Sequence, residues 1–559
     1  MQFNLIDERW IPVRRRDGSS DKIAPHEVTK GFADNPVVAL DAPRPDFNGA
    51  LIQFLIGLVQ TTAAPDDEDD WEELLASPPS PESLYERFMT VHDAFNLGGD
   101  GPRFMQDFED FTAEYSSVDG LLIESPGIHA QELNTDHFIK RNTVIGICPC
   151  CCATALFSLQ TNSPSGGPGY MTSLRGGGPL TTLVLGDGNH DSVWQLLTLN
   201  ILEKTKFLNI CGNINLIEKK SIFPWMGTTR KGKRKKGDQF TGECTTPEEA
   251  HPTAMFWAMP RRIRLNFKNL RLGICDICGI SSSSIIASHK KAPGGASYEG
   301  WLHPLTPYYE KNATMDKLPV HAQPGGISYR HWLGLVSNDL KDKKTPARIV
   351  HEFINNRQRK DWQFRLWAFG YDMNKAKSRC WYESIIPLLY LDPRIRAQYE
   401  QNVAGMIRAA AKIGENLRIA IKNSIHGDPI FNPLTKEIKW QYKDIKKLPA
   451  NEDKCRSKIL HETRGMTSLI AMEAAFWQNT ESQFYSSLLG LKSALESGND
   501  INQEMKKWHN ALCHEAQKLF DAYAWEGAIE DTDPKRAVYA RKELDKFNHS
   551  KIVRELIGL

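Results

Sequence analysis

Two Cys-x-x-Cys pairs, Cys148/Cys151 and Cys275/Cys278, restrict this chain more than any other feature. Thiolates three residues apart on a tight turn reach one tetrahedral ion, and two such turns complete a four-cysteine site. Any fold must then bring two distant segments together. A site closed by four sulfurs has no open position for water, so the Zn2+ expected there is structural rather than catalytic. Cys150 and Cys152 crowd the first pair; spacing favours Cys148 with Cys151, and Cys152 stands as an alternative ligand. The first pair also opens a stretch, Cys148–Pro179, with two glycine-rich turns, Ser165-Gly166-Gly167-Pro168-Gly169 and Arg175-Gly176-Gly177-Gly178-Pro179.

The rest of the chain reads as an α+β protein of two domains. With 559 residues it is too long for one core, and 41% hydrophobic and 25% charged residues are ordinary for a globular protein. A net charge of +1 confines any nucleic-acid surface to a local patch. The polar N-terminus lacks an apolar signal segment, and eleven cysteines, four of them within Cys148–Cys152, suit reduced or metal-bound thiols. A cytoplasmic protein without membrane attachment is expected.

Residues 1–392 are expected to form a large mixed α/β domain containing the zinc site. FNLIDERWIPVRRRDG reads as an edge strand and hairpin, and Asn48–Thr62 as a core helix. The acid run Asp66–Glu73 reads as a solvated loop or helix start. RKGKRKK holds Arg230, Lys231, Lys233, Arg234, Lys235 and Lys236, a density that suits phosphate or a solvated insertion. Phe256–Leu265 reads as a strand, Ser281–Gly300 as a small-residue loop, and Trp362–Tyr390 as strand-like, interrupted by GYDMNKAKSR. Residues 393–559 are expected to form a four-helix bundle. Its stripes are Val403 to Ile421, Leu469 to Leu495, Ile501 to Tyr523, and Val538, Arg541, Leu544 and Phe547.

Glycines let a backbone approach a ligand closely and offer N–H groups to it. Neither glycine turn has the spacing of a Walker A loop or a dinucleotide fingerprint. GDGNHD, Gly186–Asp191, resembles one metallophosphoesterase motif, but the upstream Asp-x-His such sites use does not occur in the chain. It reads better as a turn after the strand TTLVLG. No nucleophile elbow or kinase signature is found.

Taken together, an ordered set of segments resembles the CasA family, the large subunits of the type I-E CRISPR surveillance complex Cascade. They are FNLIDERWIPV, RFMQD, the first Cys-x-x-Cys followed by ALFSLQ, SLRGGGPLTTLV, FWAMPRRIRL, the second Cys-x-x-Cys with WLHP after it, and the closing helices. The resemblance spans essentially the whole chain. It implies a non-enzymatic subunit that reads the protospacer-adjacent motif in double-stranded DNA, promotes unwinding and R-loop formation, and docks the helicase-nuclease effector. It also implies partnership with the crRNA-containing subunits: the backbone, the small-subunit dimer and the subunit at the crRNA 5′ end.

Carried over residue by residue, the resemblance puts a minor-groove loop at Gly166, Gly167 and Gly169, with Pro168 where the family can have glycine. It puts a lysine finger at Lys290 or Lys291 and a base-pair wedge at Asn374 or Lys375, where the family often has glutamine. A loop holding Phe138, Lys140 and Arg141 would dock at the guide-RNA end. Competing readings are a zinc-stabilised metal-dependent nuclease or phosphoesterase using His190 and Asp191, and a purely structural scaffold subunit.

Overall fold

The most apolar window of the chain lies in helix α1 (Pro45–Thr62), which is buried on nearly every side. Phe54, at its middle, meets five rings edge-on: Trp10 at 5.2 Å, Phe95 and Phe157 at 5.8 Å, and Phe104 and Trp257 at 5.9 Å between centroids. Edge-to-face pairs of this kind contribute about 0.5–1.5 kcal/mol each beyond the area they bury. The segments around Trp10, Phe104, Phe157 and Trp257 thus meet on one residue. Buried glutamines lock the same segments by their backbones. Gln160 donates to the carbonyls of Met105 (3.1 Å) and Arg261 (2.9 Å) and accepts from Arg261 N–H (2.9 Å). Gln106 accepts from Leu265 N–H at 2.9 Å and donates to the Leu97 carbonyl at 2.7 Å.

The structure is a computed structural model that describes residues 1–125, 141–166, 169–186, 188–232, 234–236, 239–241, 243–312, 316–374, 377–426, 453–524 and 534–559. These form two compact units, Met1–Ile327 with Gly334–Leu389, and Ser328–Leu333 with Tyr390–Leu559. The first is mixed α/β. Strands β1 (Ile11–Arg15), β2 (Ser20–Ile23) and β3 (Val37–Leu40) form an antiparallel sheet ordered β2-β1-β3. The expected edge strand is therefore central, because β3 pairs with the side left open by the hairpin. The acid run supplies the Asp67 cap and first turn of a helix over Glu68–Ala76, where carboxylates favour the positive end of the helix dipole.

Two further sheets carry the regions of interest. Strand β4 (Tyr115–Ser117) pairs with β9 (Ser288–Ala292), which pairs with β6 (Arg262–Leu265). Strand β5 (Thr181–Leu185) pairs with β10 (Phe364–Asn374), which forms a long hairpin with β11 (Lys377–Leu388). The hairpin β7 (Arg271–Ile274) and β8 (Ser281–Ile285) holds the second cysteine pair in its turn. Two sequence expectations fail here. Phe256–Leu265 is strand only from Arg262, because Pro252–Phe256 is a 3-10 helix and Pro260 breaks the run. Ser281–Gly300 is not a loop but contains β8 and β9, formed because neighbouring strands complete their hydrogen bonds.

The second unit is helical: α3 (Pro393–His426), α4 (Asp453–Glu496), α5 (Asn502–Tyr523), α6 (Pro534–Asn548) and α7 (Lys551–Leu556). Helix α3 packs against each of the other four. Its stripe Val403, Met406, Ala410, Ile413, Leu417 and Ile421 is buried as expected. On α6 the expected stripe holds only at Leu544, which is buried: Val538, Arg541 and Phe547 are exposed, and Ala537 and Ala540 face inward instead. Small residues there let helices approach closely. At Gly405 of α3 an added Cβ would lie 2.2 Å from the Leu556 carbonyl oxygen of α7. A segment from well before the expected boundary also belongs to this unit. Tyr329 stacks on Phe484 (4.4 Å) and pairs its hydroxyl with Thr480 Oγ1 at 2.8 Å. Among the described residues, no helix is long and apolar enough to cross a membrane.

Candidate metal centre and nucleic-acid interface

Helix α2 (Pro149–Asn162) starts on the first cysteine pair. Cys148 is the N-cap, Pro149 fills the first position where no N–H is needed, and Cys148 Sγ accepts from Cys151 N–H at 3.5 Å. The second pair sits on a tight turn in which Cys275 N–H bonds the Ile280 carbonyl (3.0 Å) and Gly279 N–H the Cys275 carbonyl (2.9 Å). Asp276 fastens one turn to the other. Its carboxylate accepts from the N–H groups of Ile145 and Gly146, both at 2.8 Å, while Ile147 pairs with Ile286.

The Sγ atoms of Cys148, Cys151, Cys275 and Cys278 lie within 4.8 Å of one another. Cys148 and Cys278 are 3.8 Å apart. A tetrahedral ion with metal–sulfur bonds of about 2.3 Å sets its sulfurs about 3.8 Å apart, so the donor set fits such an ion. Hydrogen bonding from Cys151 draws the Cys278 thiol down to about 6 against the effect of burial, whereas contacts with Cys148, Cys275 and Cys278 push Cys151 up. Cys152, the alternative ligand, is buried apart from this set, and its thiol is pushed up mainly by burial.

At its other end α2 delivers the glycine-rich stretch. Gly178 N–H bonds the Asn162 carbonyl and Ser173 N–H the Ser163 carbonyl, both at 3.0 Å. A Cβ on Gly177 would lie 2.7 Å from Pro164, and one on Gly178 would lie 2.7 Å from Tyr371 of β10. The second glycine turn therefore packs between the first turn and the long hairpin. Arg175 anchors it from within. Fully buried, its guanidinium donates to Thr181 Oγ1 (3.1 Å), Thr306 Oγ1 (3.0 Å) and Gln53, and burial lowers its pKa to about 10.

The first glycine turn is held by Arg261, which sequence reasoning did not single out although it lies in FWAMPRRIRL. Its guanidinium donates to the Pro164 carbonyl, lies over the Tyr170 ring at 5.4 Å, and is 2.8 Å from where a Gly166 Cβ would be. Gly169 has φ +82°, a conformation that favours glycine. Its carbonyl accepts from Gly294 N–H at 2.6 Å. Gly294 lies just after β9, so the loop and the lysine-bearing strand meet.

The two lysines of β9 differ. Lys290 is folded onto the protein, 3.4 Å from Asp110 Oδ1, 3.3 Å from the Phe111 carbonyl and 5.3 Å from the Tyr115 ring centroid. Lys291 is exposed and makes no ion pair among the described residues. Asn374, exposed, ends β10 and pairs with Lys377 across the hairpin. Arg141 is exposed. Gly167, Lys375, Phe138 and Lys140 lie outside the described residues, as does Lys233 of the basic run. In that run Arg230 pairs with Glu243 (3.1 Å) and Glu249 (2.7 Å), so its charge is already matched.

The residues of the competing nuclease reading do other work. His190 packs on the rings of Trp362 (5.0 Å) and Phe364 (5.5 Å), and Asp191 pairs with Arg16 at 2.5 Å.

Comparison with known proteins matches this architecture. Solved structures of Cse1 from Thermobifida fusca (TM-score 0.66, 14% identity) and CasA from Thermus thermophilus (TM-score 0.63, 16% identity) share the fold. The first comparison covers 100% of this chain and 98% of the other, and the second 100% of both. A chain of a CRISPR RNA-guided surveillance complex is also similar, at TM-score 0.60 and 13% identity, covering 98% of this chain and 100% of that one. The sequence model of the family CRISPR-associated protein Cse1 matches residues 4–519. The chain belongs to the CRISPR-associated protein Cse1 family.

Proposed function

We propose that the protein is the non-catalytic large subunit of a type I-E Cascade, working in the cytoplasm. It reads the protospacer-adjacent motif in duplex DNA, helps open the duplex for R-loop formation, and docks the helicase-nuclease effector. Its partners are the crRNA-bearing subunits. One observation carries the reading: the 2.6 Å hydrogen bond from Gly294 to Gly169, which sets a side-chain-free loop beside the strand of Lys291. Glycine backbone can enter a minor groove that a side chain would obstruct, and a lysine beside it meets phosphate or a groove acceptor.

On this reading Gly166, Gly167 and Gly169 approach the groove. Lys291 rather than Lys290 is the lysine finger, since Lys290 is tied to Asp110. The tip of the long hairpin, Asn374 with Lys375, is the wedge that unstacks the first base step. The four-cysteine cluster holds Zn2+, which positions the loop and does no chemistry. The second unit is a four-helix bundle flanking the small subunits, and Phe138, Lys140 and Arg141 meet the guide-RNA end.

The test is target binding by the assembled, crRNA-loaded complex against duplexes with a randomised motif library. Preference for a subset of motifs is expected, and it should be lost with Gly169→Val or Lys291→Ala. Binding indifferent to the motif in the native complex would refute the reading.

A further inference from the structure

A second cluster of metal donors lies in the helical unit. His509 and Cys513 are one turn apart on the buried side of α5, and His549 follows the last residue of α6. One donor atom from each lies within 4.8 Å of the other two. His509 Nε2 is 3.5 Å from Cys513 Sγ, and the two imidazole rings meet nearly at right angles, with centroids 5.2 Å apart.

The surroundings orient these groups as ligand-supporting shells do. His549 Nδ1 donates to the Asp545 carbonyl at 2.9 Å, which leaves its Nε2 with the lone pair. His509 Nε2, the nitrogen facing Cys513, bonds the Asn548 carbonyl at 2.8 Å, holding that ring against the end of α6; an ion bound at Nε2 takes the place of this bond. Asn548 is itself held by Asn416 of α3 through a 3.0 Å bond to its side-chain oxygen. A backbone carbonyl on the ring nitrogen away from the ion, as at His549, is the usual outer support of a metal-bound histidine. A tetrahedral ion with bonds of about 2.0–2.3 Å sets its donors about 3.2–3.8 Å apart. His549 is half-exposed, so its side chain shifts by the remaining distance without displacing core packing.

We propose that His509, Cys513 and His549 form a second metal site for a divalent ion of the zinc class, clamping α5 to the turn between α6 and α7. One thiolate with two imidazoles suits zinc or cobalt over calcium or magnesium, which prefer oxygen donors. Three protein donors leave the fourth position to water. Binding replaces the thiol proton of Cys513 by the ion, and the proton passes to solvent.

The test is titration of the full chain with Co2+ alone, followed by absorbance and by metal content after gel filtration. The native chain should take up about one equivalent more than His549→Ala, with a thiolate–cobalt charge-transfer band that the variant lacks. His549 is exposed, so the variant keeps its fold, which circular dichroism verifies. Cys513→Ser should lose the same equivalent. Equal uptake by the native chain and His549→Ala, or an extra band that survives Cys513→Ser, overturns the proposal.

Discussion

Cys148 and Cys278, 130 positions apart, bring their sulfurs to 3.8 Å. An ion held by the four cysteines would reinforce the Asp276 and Ile147 hydrogen bonds that join the two segments. Replacing Cys278 or Cys151 with serine should abolish about one equivalent of tightly held zinc per chain and cost several kcal/mol, the scale on which structural zinc couples to folding. Metal analysis and thermal melting check this together. Asp276→Ala, which spares all four sulfurs but frees Ile145 and Gly146, should weaken metal retention without abolishing it.

The two lysines of β9 should separate cleanly. Lys291→Ala should lower the affinity of the assembled complex for target DNA and reduce the steepness of its salt dependence by about one unit. Lys290→Ala should leave the salt dependence unchanged, because Lys290 already bonds Asp110 and the Phe111 carbonyl. Binding measured over a salt series distinguishes the two.

His289, between those neighbours and the core, should make the protein acid-sensitive. Burial, helped by the charge of Lys291, lowers its pKa to about 4, against opposing effects of Asp119 and the Ser117 backbone. An unfolded histidine titrates near 6.5, so on acidification the unfolded chain takes up the proton first. The stabilisation is complete above about pH 6.5 and is lost as pH falls towards about 4, by at most about 3 kcal/mol. His289→Gln should lose less stability between pH 7 and 4.5 than the native chain in denaturant melts.

Phe54→Ala removes the hub of five ring contacts and should cost about 3–5 kcal/mol, read from denaturant unfolding. Phe54→Leu should recover part of that loss, because volume returns without the edge-to-face geometry.

The family was legible in sequence for the same reason that Phe54 is surrounded. Trp10, Phe104, Phe157 and Trp257, within the segments that carried the resemblance, are all core, and a core of this kind demands particular residues in a particular order. The cysteine pairs were equally plain, since four ligands at fixed spacing have few other uses. What was hidden was hidden physically. Strand β9, Ser-His-Lys-Lys-Ala, has no apolar alternation, and only its pairing with β4 and β6 makes it a strand. Arg261 reads as one arginine among several in FWAMPRRIRL, and its hold on Pro164 and Tyr170 depends on contacts far along the chain. The stripe of α6 was misread because alanines, not the larger Val538 and Phe547, face the core.

Tyr329 brings a last consequence. Ser328–Leu333 belongs to the helical unit although Met1–Ile327 and Gly334–Leu389 belong to the other, so the chain passes between units three times. A single protease cut after Leu389 would therefore not liberate the C-terminal piece. The nicked product should migrate as one species until denatured, and residues 390–559 produced alone would carry an open slot where Tyr329 belongs.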